Sequence, residues 1–278
     1  MSIRIAIPDY SGHAGAAGRA PRLLVAMLLC AAVPVMAQTT AGPADRWTYE
    51  LTPYFWAAGM KGDVQSGSLP KTSVDVPFSD IWDNLDFGAM GAFEARKGRW
   101  GMLFDAIYIK VSTSATSSRT GPGPIGSTLT ATADVKMEQT LLTGAATYRV
   151  SDGPTLTDIV GGARYFEADV SASINASLFG LTGNVLRSGD KSWVDPFIGA
   201  RVQHPLTDRW TVVGYADVGG FGVGSKFTWQ AIAGISYGFS KSISGKFGYR
   251  YLSVDYDKHG FLYDMDTYGL YAGIGFRF

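Results

Sequence analysis

The sequence predicts an all-β protein: a closed antiparallel up-and-down β-barrel that crosses a membrane with its strands. Three observations lead there. Apolar residues recur at alternate positions through most of 47–278, the period of a strand whose two faces meet different surroundings. Aromatic residues gather at the ends of those apolar faces, as Trp100 and Tyr108 do in one segment and Trp229, Tyr237 and Phe239 in another, where membrane interfaces hold amphipathic rings. Charged residues return in mid-strand on the opposite face. A soluble sandwich would need its aromatic faces to fill a core, and unpaired charges could not join them there at tolerable cost. An apolar exterior around a polar interior accommodates both faces.

Composition agrees. Only 17% of the 278 residues are charged, below the usual quarter, while 13% are aromatic and 35 are Gly. The longest apolar run, Leu23–Val35, has 13 residues, short of the roughly 20 that a spanning helix needs. With Arg19 and Arg22 before it and "VMA" at Val35–Ala37 after it, this run reads as a secretory signal peptide over 1–37, cleaved after Ala37. A short segment, 38–46, then precedes the barrel at 47–278. Cys30 is the sole cysteine and lies in the signal, so the mature chain has no thiol chemistry or disulfides. Loss of three Arg and Asp9 leaves 21 basic and 23 acidic residues, a balance that gives no footing for nucleic acid.

Taken in order, the strands are expected at about 47–59, 86–97, 99–113, 129–150, 156–170, 191–204, 209–220, 226–239, 243–256 and 262–278. Tight turns such as "KGRW", "VSDGPT", "HPLTDRW" and "FSKSIS" alternate with longer links at 60–85, 114–128, 171–190 and 257–261. Bacterial barrels keep turns short on the periplasmic side, so both termini are expected there. Ten strands is the expected number. Eight and twelve bracket it, because "TSVDVPFSDIWDNL" also reads as a short strand followed by a turn of helix. In that segment Ile81, Trp82 and Leu85 are candidates for a constriction laid over the mouth or into the lumen, against an ordinary ordered loop.

The inward-facing charges hold most of the functional content. The candidates are Glu50, Glu94, Arg96, Asp105, Lys136, Glu138, Arg164, Asp195, Arg201, Asp217 and Arg250, with Asp134, Asp158 and Arg277 beside them. In a narrow barrel such pairs fill the interior; in a wider one they line a channel. Each Arg is expected to engage a carboxylate, since guanidinium matches it bidentately. The mature chain has two histidines. His204 stands beside a tight turn, and His259 sits in "DYDKHGF" with Ser253, Asp255, Asp257 and Asp264 nearby, a cluster that is a polar loop tip before it is a catalytic site. "GPGPIGS" at 121–127 lacks the following helix that a phosphate cradle requires. No catalytic residue, metal or cofactor is expected.

Two resemblances extend this reading. The ending "YAGIGFRF", with Gly273, Phe276 and Phe278, resembles the terminal signal that the barrel-assembly machinery of Gram-negative outer membranes reads on its substrates. "YELTPYFWAAGMKGDV" and "VDVPFSDIWDNLDFGAMGAFEARKGRWG" resemble a family of uncharacterised proteobacterial outer-membrane proteins, through Pro53, Tyr54, Trp56, Phe78, Ser79, Asp80, Phe93, Glu94, Ala95, Arg96, Gly98, Arg99 and Trp100. That family implies fold and location, with no catalytic residues to transfer. The expected function is an integral outer-membrane barrel without enzymatic activity, either structural or a slow non-specific channel for small hydrophilic solutes. Its partners would be outer-membrane lipid and lipopolysaccharide, the assembly machinery and small hydrophilic solutes. The alternatives are a rim-located lipid-modifying enzyme using His259 and a surface receptor or adhesin acting through the external loops.

Overall fold

The alternation becomes strands on nearly every predicted segment. The computed structural model describes residues 46–66, 71–120, 128–178, 181–258 and 260–278. Its elements are β1 (Thr48–Ser66), β2 (Thr72–Val76), α1 (Phe78–Asp83), β3 (Leu85–Lys97), β4 (Trp100–Thr120), β5 (Thr128–Asp152), β6 (Leu156–Leu178), β7 (Leu181–Pro205), β8 (Trp210–Gly219), β9 (Phe227–Gly238), β10 (Ile243–Lys258) and β11 (Phe261–Arg277). Each strand from β3 to β11 pairs antiparallel with the next, and β11 closes on β1 from Glu50↔Arg277 to Ser66↔Phe261. The wall therefore has ten strands, and closure removes the free sheet edges that a membrane would not tolerate.

β2 is the extra short strand, but it does not enter the wall as an eleventh stave. It pairs with the upper part of β1, Met60↔Val76 to Val64↔Thr72, where β1 has parted from β3. The β1–β3 ladder covers only Thr48↔Arg96 to Pro53↔Gly91. Beyond it the Trp56 N–H donates to the Met90 sulfur at 3.2 Å, and Phe78 and Trp82 of α1 stand edge-on to Phe55 with ring centroids 5.9 and 5.5 Å away.

The expected links at 114–128 and 171–190 are mostly strand. Residues pair from Trp100↔Tyr148 to Thr120↔Thr128 in one hairpin and from Leu156↔Gln203 to Leu178↔Leu181 in the next. The reason is local and tertiary together: "VSTSATSSRT" and "VSASINAS" carry the β-branched residues Val, Thr and Ile, and β4 to β7 pair side by side. One side of the barrel rises as a four-strand wall, while the β8–β9 hairpin stays low.

The faces follow residue parity. Phe104, Leu142, Ile198, Val212, Ile235, Phe247, Leu270 and Ile274 are exposed on the outside, an apolar band that suits lipid and not water. Aromatic clusters bound it. At the short-turn end Trp100 meets Tyr148 (4.8 Å), Trp210 meets Tyr237 (4.7 Å), and Tyr49 stacks on Phe278 (5.7 Å). Toward the loop end Trp229, Tyr251 and Tyr268 stack in a row across three strands. Inside, Gly269 allows β11 to approach β1: a Cβ there would overlap the Ala57 carbonyl.

An Arg placed at Ala233, on the exposed band of β9, should cost about 2–4 kcal/mol in denaturant unfolding from lipid vesicles if that position lies near the midplane. Equal tolerance of Arg at Ala231, Ala233 and Ile235 would show that the inner and outer faces have been assigned the wrong way round.

Candidate functional site in the barrel interior

Three layers of side chains occupy the lumen. The layer nearest the short turns is ionic. Arg201 of β7 reaches across to Glu94 of β3, donating from Nη1 and Nη2 to the two carboxylate oxygens at 2.7 Å each. The same guanidinium donates to Asp158 of β6 at 2.8 and 3.1 Å. Asp158 also accepts from Arg96 at 2.8 Å and from Arg149 Nε at 2.9 Å. Glu50 receives Lys246 Nζ, which also donates to Thr52, and Arg277 at 2.9 Å. Planar guanidinium suits such shared, two-oxygen contacts better than ammonium does.

The middle layer gives each remaining buried charge hydrogen-bond partners. Arg250 donates to Asp105 at 3.1 Å, to the Tyr54 hydroxyl at 3.0 Å and to Gln230 at 2.9 Å, while Tyr54 donates to Asp105 at 2.7 Å. Arg164 donates to Asp217 at 2.7 and 3.3 Å; Tyr215 and Gln230 donate to the same carboxylate. Arg164 and Asp195 are fully buried. Asp195 is held without an arginine: the Ser225 N–H and hydroxyl donate to it at 2.6 Å, and the Trp193 indole N–H at 3.1 Å. Ser225 belongs to the β8–β9 turn, which folds inward because Gly224 leaves room that a Cβ would take from Asp195. Arg164 also lies 4.9 Å from the Phe197 ring centre, and Arg250 4.8 Å from that of Trp56, each on the open face of a π system.

The third layer, toward the loop end, is apolar. Trp56, Ile107, Leu141, Phe166, Trp193, Leu252, Val254, Tyr256, Tyr263 and Met265 form one buried cluster. Trp193 stacks on Phe166 at 5.1 Å and crosses the lumen to Tyr256 at 4.4 Å and Tyr263 at 5.8 Å. The interior is packed there as a protein core is packed. Below it a cavity of about 560 Å³ remains, walled by Tyr54, Glu94, Asp105, Arg201 and Arg250 and reaching the short-turn rim at Pro205, Thr211, Ser244 and Arg277. It is a vestibule that opens at the short-turn rim.

Of the inward charges expected from sequence, Glu50, Glu94, Arg96, Asp105, Arg164, Asp195, Arg201, Asp217 and Arg250 lie in these layers. Lys136 and Glu138 do not. In β5 the even residues Leu142, Ala146 and Tyr148 face out, and Lys136, Glu138 and Asp134 share that parity. Glu138 accepts from Lys110 at 2.6 Å and from Tyr108 at 3.1 Å on the outer surface, above the apolar band, where the neighbour is water and a charge costs little. The constriction formed by Ile81, Trp82 and Leu85 is also absent. Trp82 is 55% exposed on the Phe55 side, Leu85 opens β3 opposite Val111, and none of the three belongs to the buried cluster. The gap between β1 and β3 takes α1 on the outside.

Arg149 and Lys246 were not anticipated, although parity with Thr147 and Arg250 places both inside. The apolar layer was missed for a similar reason: Phe166, Trp193, Tyr256 and Tyr263 have inward parity, but apolar residues on both faces blur the alternation. Phe276 and Phe278 stand exposed at the short-turn end, where Phe278 and Tyr49 exchange backbone hydrogen bonds of 3.0 Å; Gly273 packs against Tyr54. His204 contacts Thr155 at 2.8 Å at the exposed rim. His259, the signal peptide and 121–127 lie outside the described residues. Among the described residues no group of three His, Cys, Asp or Glu is arranged to hold a metal ion.

An apolar, aromatic-bounded exterior on a closed ten-strand barrel defines the class: a transmembrane β-barrel of the outer-membrane type. No family model matches the chain, and no curated protein does. Among solved structures, it is similar to the outer membrane protease OmpT from Escherichia coli, with 10% identity, TM-score 0.47, and coverage of 87% of this chain and 99% of that one. The translocator domain of autotransporter NalP from Neisseria meningitidis gives 12%, 0.40, 84% and 88%. The P. putida toluene transporter TodX gives 12%, 0.28, 85% and 90%. At these TM-scores nothing passes from their activities to this chain.

Replacing Arg201 with Ala should destabilise the barrel by about 3–5 kcal/mol in denaturant unfolding, because Glu94 loses its two-oxygen partner in a poorly hydrated space. The double change R201M/E94Q should recover much of that loss, since it removes both charges of that pair. A single variant as stable as the parent protein would mean that water already screens this layer.

Proposed function

We propose that this protein is a sealed structural barrel of the Gram-negative outer membrane, with its short-turn end and vestibule toward the periplasm. The single observation that supports it is the aromatic crossing of the lumen: Trp193 of β7 stacks between Phe166 and Tyr256, and Tyr263 closes beside it. A hydrophilic solute would have to displace or skirt these buried rings. The diffusion-channel reading suits an interior lined by charge throughout, and here the charges occupy only part of the length. The interior carboxylates are engaged by Arg, Lys, Ser and Trp donors, which favours a non-enzymatic role. The external wall of β4–β7 has too little non-strand chain to favour an adhesin. The periplasmic placement of the short turns follows the barrel rule for turn lengths. The first-strand and "FEARKGRWG" resemblances, and the Phe278 ending, support membership of an outer-membrane family and handling by its assembly machinery, with lipopolysaccharide as the lipid partner.

In planar bilayers the purified protein should give no steady conductance, whereas the combined F166A/W193A/Y256A variant should conduct, provided that it still migrates faster unboiled than boiled. Steady conductance from the unaltered protein would overturn the sealed reading. In fractionated cells the mature protein should appear in the outer membrane, and removal of Phe278 should sharply reduce the inserted fraction. Soluble, heat-unmodifiable protein in the periplasm would end the membrane assignment itself.

A further inference from the structure

The vestibule holds more positive charge than its own wall can answer. Six cationic side chains line it, Arg96, Arg149, Arg201, Lys246, Arg250 and Arg277, against three carboxylates, Glu50, Glu94 and Asp105. Asp158, buried behind the wall and shared by Arg96, Arg149 and Arg201, brings the carboxylates to four. With Arg164 balanced by Asp217 and Asp195 held without a cation, one positive charge remains in excess over the interior as a whole. Inside a barrel with an apolar exterior such a surplus is less screened than on an open surface, so it raises the local concentration of anions. Arg149 and Arg201 sit in hydrogen-bonded contacts with carboxylates; Arg96 does so only in part. Its Nη2 donates to Glu94 and Asp158, but its Nη1 is buried with no acceptor. Thr143, another wall residue and only 6% exposed, has a buried hydroxyl that is likewise without a partner. A guanidinium N–H and a hydroxyl left unpaired in a low-dielectric wall are costly, and because neither atom has accessible surface, a ligand meets them only when the Arg96 and Thr143 side chains turn toward the cavity.

The rest of the wall sets the shape of that ligand. Tyr54, Leu103, Val213, Tyr215, Ile232 and Tyr271 give the cavity extensive apolar and aromatic surface. Its volume, about 560 Å³, falls within the range of small-molecule sites. We infer that the vestibule is a binding site for a small amphiphilic oxyanion, whose carboxylate or phosphate group accepts from Arg96 while its apolar part lies against the Tyr and Leu wall. The site opens at the short-turn rim, so the ligand arrives from that side. Nothing in this inference requires the barrel to be sealed: it depends on the charges and the apolar surface of the wall.

Isothermal titration of the full barrel in an uncharged detergent tests it without a bilayer, and therefore apart from the conductance result. Benzoate and hexyl phosphate serve as anionic probes, and benzylammonium as a cation of similar shape. Saturable binding of either anion with Kd of about 1 mM or tighter, and none of benzylammonium, is the expected result. Arg96→Gln should weaken anion binding by roughly tenfold or more, a loss of about 1.4 kcal/mol. Because Arg96 also supports Asp158, a second variant avoids the ionic layer: Val213→Asp adds a carboxylate to the wall, and it should weaken anion binding to a similar degree while the folded barrel keeps its heat-modifiable migration. Binding of benzylammonium as tight as that of benzoate, absence of binding by both anions, or anion binding unchanged in both variants would each overturn the proposal.

Discussion

Arg201 reaches across the lumen to Glu94 and, with the same guanidinium, to Asp158. That contact states the constraint under which the whole interior is built. A ten-strand wall encloses a space narrow enough that side chains from opposite strands meet, and charges there have little bulk water to solvate them. Each charge must find its partner among the few groups that parity brings inward. Arg250 does so with Asp105 and Tyr54, and Arg164 with Asp217 and the face of Phe197. Lys246 and Arg277 share Glu50. Arg201–Asp158 and Arg277–Glu50 join paired strands, whereas Arg201–Glu94, Arg250–Asp105, Arg164–Asp217 and Lys246–Glu50 join strands that are not neighbours in the sheet and act as struts between parts of the wall that the backbone ladder connects only indirectly.

The same narrowness explains why the interior changes character along its length. Near the short turns the rim is open to water and the surplus charge is tolerable. Toward the loops, Trp193, Phe166, Tyr256 and Tyr263 replace ion pairs with packed rings. Asp195 lies between the two regimes. It is fully buried and beside indole, and it is stable there because the inward β8–β9 turn supplies two donors from Ser225. A charged residue in that position without the turn would be an uncompensated cost, so loop and lumen are one structural unit. The vestibule is the result of this gradient.

Outside, the organising force is the match between exposed apolar surface and lipid. Two bands of aromatic rings bound that surface, and the β4–β7 wall continues beyond it with Thr, Ser and Ala in place of large apolar residues. The seam between β1 and β3 departs from the regular ladder. It is closed by a Met90 sulfur, by β2 and by the aromatic face of α1, so the backbone groups freed by the missing ladder are next to protein atoms over much of that length.

Much of this was legible in the chain. Period-two alternation determined the strands, turn chemistry separated them, and parity told inside from outside for Glu94, Arg164, Arg201 and Arg250, because a strand cannot turn one side chain without turning its neighbours. Lys136 and Glu138 misled because their charge was read as a sign of the lumen, whereas on a strand that outruns the membrane the outer face is wet again. Trp82 misled because an amphipathic turn has no address until the gap that receives it is known. The sequence by itself therefore determined the barrel, pointed to ten staves within a range of eight to twelve, and placed most of the charges that face inward. Only the tertiary structure decided which of them meet, that rings pack in one half while charges surround a cavity in the other, and that Arg96 is left with a donor to spare. Those facts depend on distances across the lumen between residues as far apart as Glu94 and Arg201, and strand periodicity carries no information about what stands on the opposite wall.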